Sequence, residues 1–118
     1  MTDKDKQILI TDLCARLPYG VKMKTCRSKS TEALKTYMDI NHLIDIGWLP
    51  YLRPMSSMTD KEMAERISLL WSLEGHIDED ITYKYQDWLN AHHFDYRGLI
   101  PMGLALEAPK DMYFTVFV

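Results

Sequence analysis

The sequence predicts a small α+β fold, with a short antiparallel sheet of about three strands packed by three helices and a loop-rich C-terminal part. Three observations indicate this class. Apolar residues make up 47% of the chain, helix-period apolar stripes begin next to capping residues, and one segment alternates lysine with less polar residues as strands do. A length of 118 residues fits one domain, residues 1–118, that needs neither a disulfide nor a metal to fold.

The first helix is predicted over about residues 4–17, where leucines recur every four residues. Asp3 and Asp5 favour its first turn, because the helix dipole stabilises negative charge there. Pro18 ends the helix, since proline cannot continue it. Cys14 lies beside the apolar stripe, so we expect a buried and unreactive thiol.

The second helix begins at a capping box formed by Thr59 and Glu62, and Gly75 ends it. Its predicted buried stripe consists of Met63, Ile67, Leu70 and Trp71. Thr82 caps the third helix. One face of that helix carries Tyr85, Trp88, Leu89 and His92.

The strands are predicted from alternation and from β-favouring residue types. Residues 21–26 have the period of a half-buried strand. Residues 31–40 fit either a helix or a strand, and their threonine, tyrosine and isoleucine content favours the strand. Residues 43–48 are the third predicted strand. Two prolines then predict a stiff crossover over residues 50–58, because each fixes its own backbone and extends the residue before it.

The charge distribution is two-sided although the net charge is only −3. Residues 16–35 hold six basic residues and one acidic residue, a net charge of +5. Residues 60–83 hold two basic and seven acidic residues, a net charge of −5. The favoured interpretation is that the two segments pack together and neutralise each other, and the alternative is that the basic segment meets an anionic partner.

In this alternative, the anionic partner is nucleic acid, which the basic segment would bind weakly. The candidate contacts are Lys22, Lys24, Arg27 and Lys29. The sequence pI of about 5.7 argues against a dedicated nucleic-acid binder, which is usually strongly basic.

Motifs of the common enzyme classes are absent from the sequence. It contains no glycine-rich phosphate loop, no Gly-x-Ser-x-Gly elbow, no Cys-x-x-Cys pair and no His-Glu-x-x-His pair. No catalytic residue and no cofactor are therefore predicted, and a binding protein is favoured over an enzyme. Cys14 and Cys26 are expected to be free thiols of a cytoplasmic protein, since no signal peptide or membrane span is recognisable.

Unusual polar residues gather at the crossover and after Trp88. The candidate functional surface consists of Arg53, His92, His93, Asp95, Tyr96 and Arg97. Neighbouring helical residues point about 100° apart, so the two histidines are not predicted to share a metal ion. The last three residues have the composition of an anion grip or of a small hydrolase or transferase site. We favour a structural role for these residues. Asp95 would cap a turn, and Arg97 would bind loop carbonyls or pair with Glu107.

The apolar C-terminal residues 112–118 are strongly β-prone. Such a tail offers a strand edge to a protein partner or to a second copy, so a homodimer through this strand is one expectation. The leading functional interpretation is a non-enzymatic accessory protein that binds another macromolecule, most readily an unidentified protein.

Four sequence stretches resemble a family of small uncharacterised proteins encoded in prophages and other mobile elements of gut bacteria. They are residues 17–22 (LPYGVK), 50–59 (PYLRPMSSMT), 88–100 (WLNAHHFDYRGLI) and 103–109 (GLALEAP). The resemblance extends from residue 17 to residue 113 and is interrupted between residues 23 and 48, where this chain is shorter. It implies a mobile-element origin and an intracellular setting, and it carries over no activity and no site residue.

Overall fold

The computed structural model describes residues 1–25, 30–71 and 79–113. Within these ranges the chain forms four helices and four short strands, so the predicted α+β class is confirmed. The helices are α1 (Asp3–Arg16), α2 (Ile40–Asp45), α3 (Asp60–Trp71) and α4 (Glu79–Ala91). The strands are β1 (Lys22–Lys24), β2 (Thr31–Ala33), β3 (Leu49–Leu52) and β4 (Leu106–Glu107). The predicted helix stop at Gly75 and residues 114–118 of the predicted C-terminal strand lie outside the described residues.

The four strands form one mixed sheet in the order β2-β1-β3-β4. β1 is antiparallel to both β2 and β3, as the sequence predicted for its sheet, whereas β3 and β4 are parallel. The prediction of a crossover beginning at residue 50 was wrong, because β3 includes Pro50. Pro50 is the register partner of Met23 on β1, and its missing N–H interrupts no pairing with β4, which pairs only with Tyr51 and Leu52.

The predicted strand at residues 43–48 was also wrong, since residues 40–45 form the short helix α2. Asp39 caps this helix by accepting a hydrogen bond from the backbone N–H of His42 at 3.3 Å. This six-residue helix buries Leu43 and Ile44 in the core. Residues 31–40 are a strand only at β2, and a turn follows it.

α1 supplies one wall of the core, and its capping box is formed by Thr2 and Asp5. Leu9 and Leu13 of the predicted stripe are fully buried. They pack in a cluster with Val21, Met23, Leu34, Leu43, Ile44, Leu52, Leu99, Leu104 and Ala105. The buried face also includes Asp12 and Arg16 and turns away from Cys14. The Cys14 thiol is free and exposed, so the prediction that it is buried was wrong.

The apolar stripe of α3 faces solvent, which contradicts the predicted buried stripe. Met63, Ile67 and Trp71 retain 46%, 52% and 67% of their accessible surface, and Leu70 is half-buried. The buried residue of this helix is Glu62. The charged side of α3 makes hydrogen bonds and an ion pair with the rest of the chain. This pairing leaves the apolar side of the helix exposed to solvent.

Two hydrogen bonds show how this charged side packs against α4. Arg66 Nε donates to the Tyr85 hydroxyl at 2.7 Å, and Trp88 Nε1 donates to a Glu65 carboxylate oxygen at 3.2 Å. α3 packs mainly against α4, and α4 packs in turn against α1. We call α3 and α4 together the helical hairpin. The molecule is elongated, with extents of 48 × 37 × 28 Å.

Candidate functional site

Arg53 forms a buried ion pair at the end of β3. Its Nη1 and Nη2 atoms lie 2.6 and 2.7 Å from the two carboxylate oxygens of Glu62, a bidentate geometry. Nη2 also donates to the Ser57 carbonyl at 3.2 Å. The guanidinium lies 4.3 Å from the ring centre of Phe94. The side chain therefore fastens the first turn of α3 to the sheet.

Glu62 is held in its charged form by these neighbours. Burial by itself would raise its pKa, but hydrogen bonds from Arg53 and from the Thr59 backbone, together with the Arg53 charge, lower the pKa to about 2. The predicted capping box is confirmed, because the Thr59 hydroxyl accepts from the Glu62 backbone N–H at 3.2 Å. His92 Nδ1 lies 3.0 Å from the same carboxylate.

The crossover and the loop after Trp88 are joined through their backbones. The Arg53 N–H donates to the His93 carbonyl, and the Asp95 N–H donates to the Arg53 carbonyl, both at 2.8 Å. This parallel bridge flanks Phe94, which is fully buried. The two regions that the sequence analysis singled out thus form one continuous feature.

A second buried cluster, which the sequence analysis missed, lies between α1 and this loop. Asp12 accepts hydrogen bonds from Arg16 Nε at 2.8 Å and from Arg97 Nε at 3.1 Å. Arg16 has no exposed surface, and its Nη2 atom also donates to the Phe94 carbonyl at 2.5 Å. The spacing of four between Asp12 and Arg16 on one helix was the available signal.

Asp95 and Tyr96 are also held by contacts within the chain. The Asp95 carboxylate accepts the backbone N–H groups of Leu99 and Ile100 at 2.8 and 2.9 Å, which is the predicted turn cap. The Tyr96 hydroxyl donates to Asn90 at 2.9 Å. Arg97 also donates a hydrogen bond to Asp12. The three side chains of the suggested anion site, Asp95, Tyr96 and Arg97, therefore each hydrogen-bond to another residue of the chain.

His93 occupies a strained and buried position after α4. Its backbone has φ of +61°, a conformation that is unfavourable for a residue other than glycine. The imidazole stacks on Tyr113 with ring centres 3.9 Å apart. Among the described residues its Nδ1 atom finds no hydrogen-bond partner. Burial lowers the His93 pKa to about 4, and the charges of Arg16 and other nearby cations add to the effect.

Tyr113 anchors the C-terminal strap, which we define as residues 107–113, across the sheet. Its hydroxyl donates to the Tyr51 carbonyl at 2.6 Å and accepts from the Lys22 backbone N–H at 2.9 Å. Burial raises its pKa to about 12. A cavity of about 330 Å³ lies between the strap and the segment that contains Arg53 and Thr59.

The pKa of His93 predicts a specific pH dependence of stability. In the unfolded chain, His93 takes up a proton as the pH falls below 6.5. In the folded protein, the same imidazole stays neutral until about pH 4. The free energy of unfolding should therefore fall by roughly 3 kcal/mol across this window through His93 alone. Urea unfolding at steps of pH measures it. His93→Phe keeps the stacked ring and should show a shallower slope, and identical slopes would contradict the assignment.

Of the four basic candidate residues, the structure describes Lys22 and Lys24, which lie two positions apart on β1. Lys22 is half-buried, and its ammonium donates to the Met112 carbonyl at 2.9 Å, whereas Lys24 is exposed. Arg27 and Lys29 lie outside the described residues. No ion pair among residues that the structure describes joins the basic segment 16–35 to the acidic segment 60–83. The predicted mutual neutralisation is therefore not made by direct ion pairs in these ranges.

Metal-binding clusters and membrane-spanning helices are both absent from the described ranges. No group of three potential metal-ligating side chains converges there. No helix in those ranges is long and apolar enough to cross a membrane.

The open surface of the helical hairpin exposes a row of apolar side chains. The exposed side chains of Met63, Ile67 and Trp71, which we call the α3 stripe, recur every four residues and so line up along about 12 Å of helix. Beside this stripe runs an open groove of about 640 Å³ between the two helices. It is lined by Lys61, Ala64, Glu65, Ser68, Leu69 and Trp88.

A second groove, of about 500 Å³, lies between α1 and α4. It is lined by Thr11, Ala15, Tyr83, Lys84, Gln86, Asp87, Asn90 and Arg97. The cations and the Asp87 carboxylate share this groove, and Asp87 is bonded to the Tyr19 hydroxyl. This mixed lining lacks the convergent donors of an anion site.

Comparison of the chain with protein-family models, with curated proteins and with solved structures finds no match in any of the three.

Proposed function

We propose that this protein is a non-enzymatic binding protein that recognises a protein partner through the α3 stripe. The observation that carries the proposal is the outward orientation of Met63, Ile67 and Trp71. Aligned apolar side chains on a helix ordinarily face a core, and exposed apolar patches of this kind mark interaction surfaces. Tryptophan and methionine are also enriched at protein interfaces.

The energetics favour an external partner for this surface. Covering a largely apolar side chain contributes about 1.5–3 kcal/mol when it goes from fully exposed to buried. The three stripe residues are each about half exposed or more, so covering them contributes several kcal/mol to an association. Trp71 has the largest exposed fraction, and it is expected to be the main anchor.

The polar side chains of the candidate surface also support this proposal, because they hydrogen-bond to other residues of the same chain. Arg53, Asp95, Tyr96 and Arg97 each make hydrogen bonds that hold the fold together. Their contacts support a scaffold role, in which these clusters fix the base of the hairpin and present α3 to solvent. We expect the partner to be a cytoplasmic protein of the host or of a mobile element, as the sequence resemblance implies.

Site-specific photo-crosslinking in cells that naturally make the protein tests this proposal. A photoreactive amino acid at position 67 should give a covalent adduct of defined mass with one partner. The matched control places it at the exposed Asn41 of α2, outside the hairpin, and should give no such adduct. Adducts that are equal at both positions, or that are absent at position 67, would contradict the proposal.

A further inference from the structure

The C-terminal strap is fastened to the sheet near both of its ends. Close to β4, the Ala108 backbone N–H donates to the Leu52 carbonyl at 2.7 Å. At the far end, the Lys22 ammonium donates to the Met112 carbonyl, and the Tyr113 hydroxyl makes the two backbone hydrogen bonds described above. Between these points the strap forms one side of the cavity of about 330 Å³. The strap therefore stays over this cavity only while its Tyr113 end remains docked.

His93 is the aromatic partner of the docked strap end. Its imidazole and the Tyr113 ring are inclined by 24° at a centre-to-centre distance of 3.9 Å. His93 is 6% exposed, so the departure of Tyr113 would uncover one face of its ring to water. The Lys22 ammonium already lies 5.7 Å from the centre of the Tyr113 ring. A second cation on this ring, the protonated imidazole, would be repelled by the first.

The charges that act on His93 oppose a proton on its ring. They come from four elements and are all basic, namely Arg16 of α1, Lys22 of β1, Arg53 after β3 and His92 after α4. Tyr113, the titratable group of the strap, stays neutral because burial raises its pKa to about 12. The buried carboxylates among the described residues, Asp12, Glu62 and Asp95, each bind a group other than His93.

We propose that His93 and Tyr113 form an acid-sensitive latch, in which a proton on His93 separates the two rings and releases the strap while the core stays folded. In the docked state this proton adds a buried positive charge among cations. In the open state the same imidazolium is solvated by water. Release also frees the Lys22 backbone N–H and the Tyr51 carbonyl from the Tyr113 hydroxyl, and it opens the cavity to solvent.

The linkage between protonation and release has a definite sign and size. Burial and the neighbouring cations hold the pKa of the docked His93 at about 4, and the exposed imidazole returns to the ordinary pKa of 6.5. Docking is therefore strongest above pH 6.5 and weakens as the pH falls towards 4. Lowering the pH from 7 to 5 should raise the equilibrium constant for strap release about 20-fold.

Native-state hydrogen exchange of the full-length protein, followed by NMR, tests the latch. The reporter is the Lys22 backbone N–H, which donates to the Tyr113 hydroxyl, and the reference is the Leu13 N–H on the buried face of α1. After correction for intrinsic exchange rates, the opening constant of the Lys22 amide should rise about 20-fold between pH 7 and pH 5. It should exceed that of Leu13 and be insensitive to low concentrations of urea, whereas Leu13 exchanges through urea-sensitive global unfolding.

Matched variants assign the response to His93. His93→Phe keeps a stacked ring without a titrating group, so the rise at Lys22 should disappear. His42→Phe removes an exposed histidine of α2 and should leave the rise unchanged. Tyr113→Leu removes the latch, so the Lys22 amide should exchange rapidly at both pH values.

Three outcomes would overturn the latch. They are a Lys22 opening constant that is equal at pH 7 and pH 5, the same rise in His93→Phe, and identical urea-sensitive opening of Lys22 and Leu13. The first and the third are measured on the wild type, so the test does not depend on the folding of a variant. The α3 stripe takes no part in these contacts, and failure of the latch leaves the proposed function standing.

Discussion

Replacing Arg53 by methionine is expected to lower the free energy of unfolding by about 3–5 kcal/mol. Methionine retains much of the apolar bulk over Phe94 but leaves the Glu62 carboxylate buried without its bidentate partner. An uncompensated buried charge is the most costly single defect available at this position. Urea unfolding followed by circular dichroism, carried out at pH 7, measures the change.

Two further variants determine whether the Arg53 effect comes from the ion pair. Lys61→Met removes a charge from an exposed position one residue before Glu62 and should cost less than about 0.5 kcal/mol. The double variant Arg53→Met/Glu62→Met should lose less stability than the sum of the two single variants, because both buried charges disappear together. A loss below 1 kcal/mol in Arg53→Met would return this arginine to the candidate functional surface.

Replacing Arg16 by methionine should be similarly destabilising, by about 3–5 kcal/mol. Arg16 and Asp12 have no exposed side-chain surface, and the substitution leaves the Asp12 carboxylate with Arg97 as its remaining described partner. The Phe94 carbonyl also loses its hydrogen bond from Nη2. The same unfolding measurement applies to this variant.

Arg97→Met is the comparison for this second cluster. Its side chain is 26% exposed, and Asp12 retains the two hydrogen bonds from Arg16 when it is removed. We therefore expect a loss of about 1 kcal/mol. If Arg97→Met were as destabilising as Arg16→Met, the assignment of Arg16 as the main partner of Asp12 would be contradicted.

Local sequence signals predicted the elements whose ends are set by neighbouring residues. The Thr59–Glu62 capping box marked the start of α3, and the leucine spacing located α1 to within about one residue at each end. Both depend on side chains three or four positions apart, so a window of one helix contains the necessary information.

The orientation of α3 was not predictable in this way, because it depends on distant partners. Its amphipathic pattern defines an apolar face but not the direction in which that face points. The direction is set by Arg53, which binds Glu62, and by α4, whose Tyr85 and Trp88 bond the polar side of α3. The Asp12–Arg97 contact has the same character, since 85 positions separate the two residues.

The short elements were missed for a related reason. α2 is six residues long, and its β-favouring isoleucines outweigh the helix signal of the single cap at Asp39. β3 contains Pro50, and a proline argues against a strand when only the neighbouring sequence is considered. Its pairing with β1 and β4 supplies the stability that the local sequence lacks.

The most direct test of the outward-facing α3 stripe is the free energy of unfolding of Ile67→Asp. A charge at a solvent-facing position costs little, so the variant should unfold within about 1 kcal/mol of the wild type. Leu9→Asp, at a fully buried position of α1, is the matched control and should lose more than about 4 kcal/mol. A loss of 3 kcal/mol or more in Ile67→Asp would show that the stripe belongs to the core and would contradict its role as a binding surface.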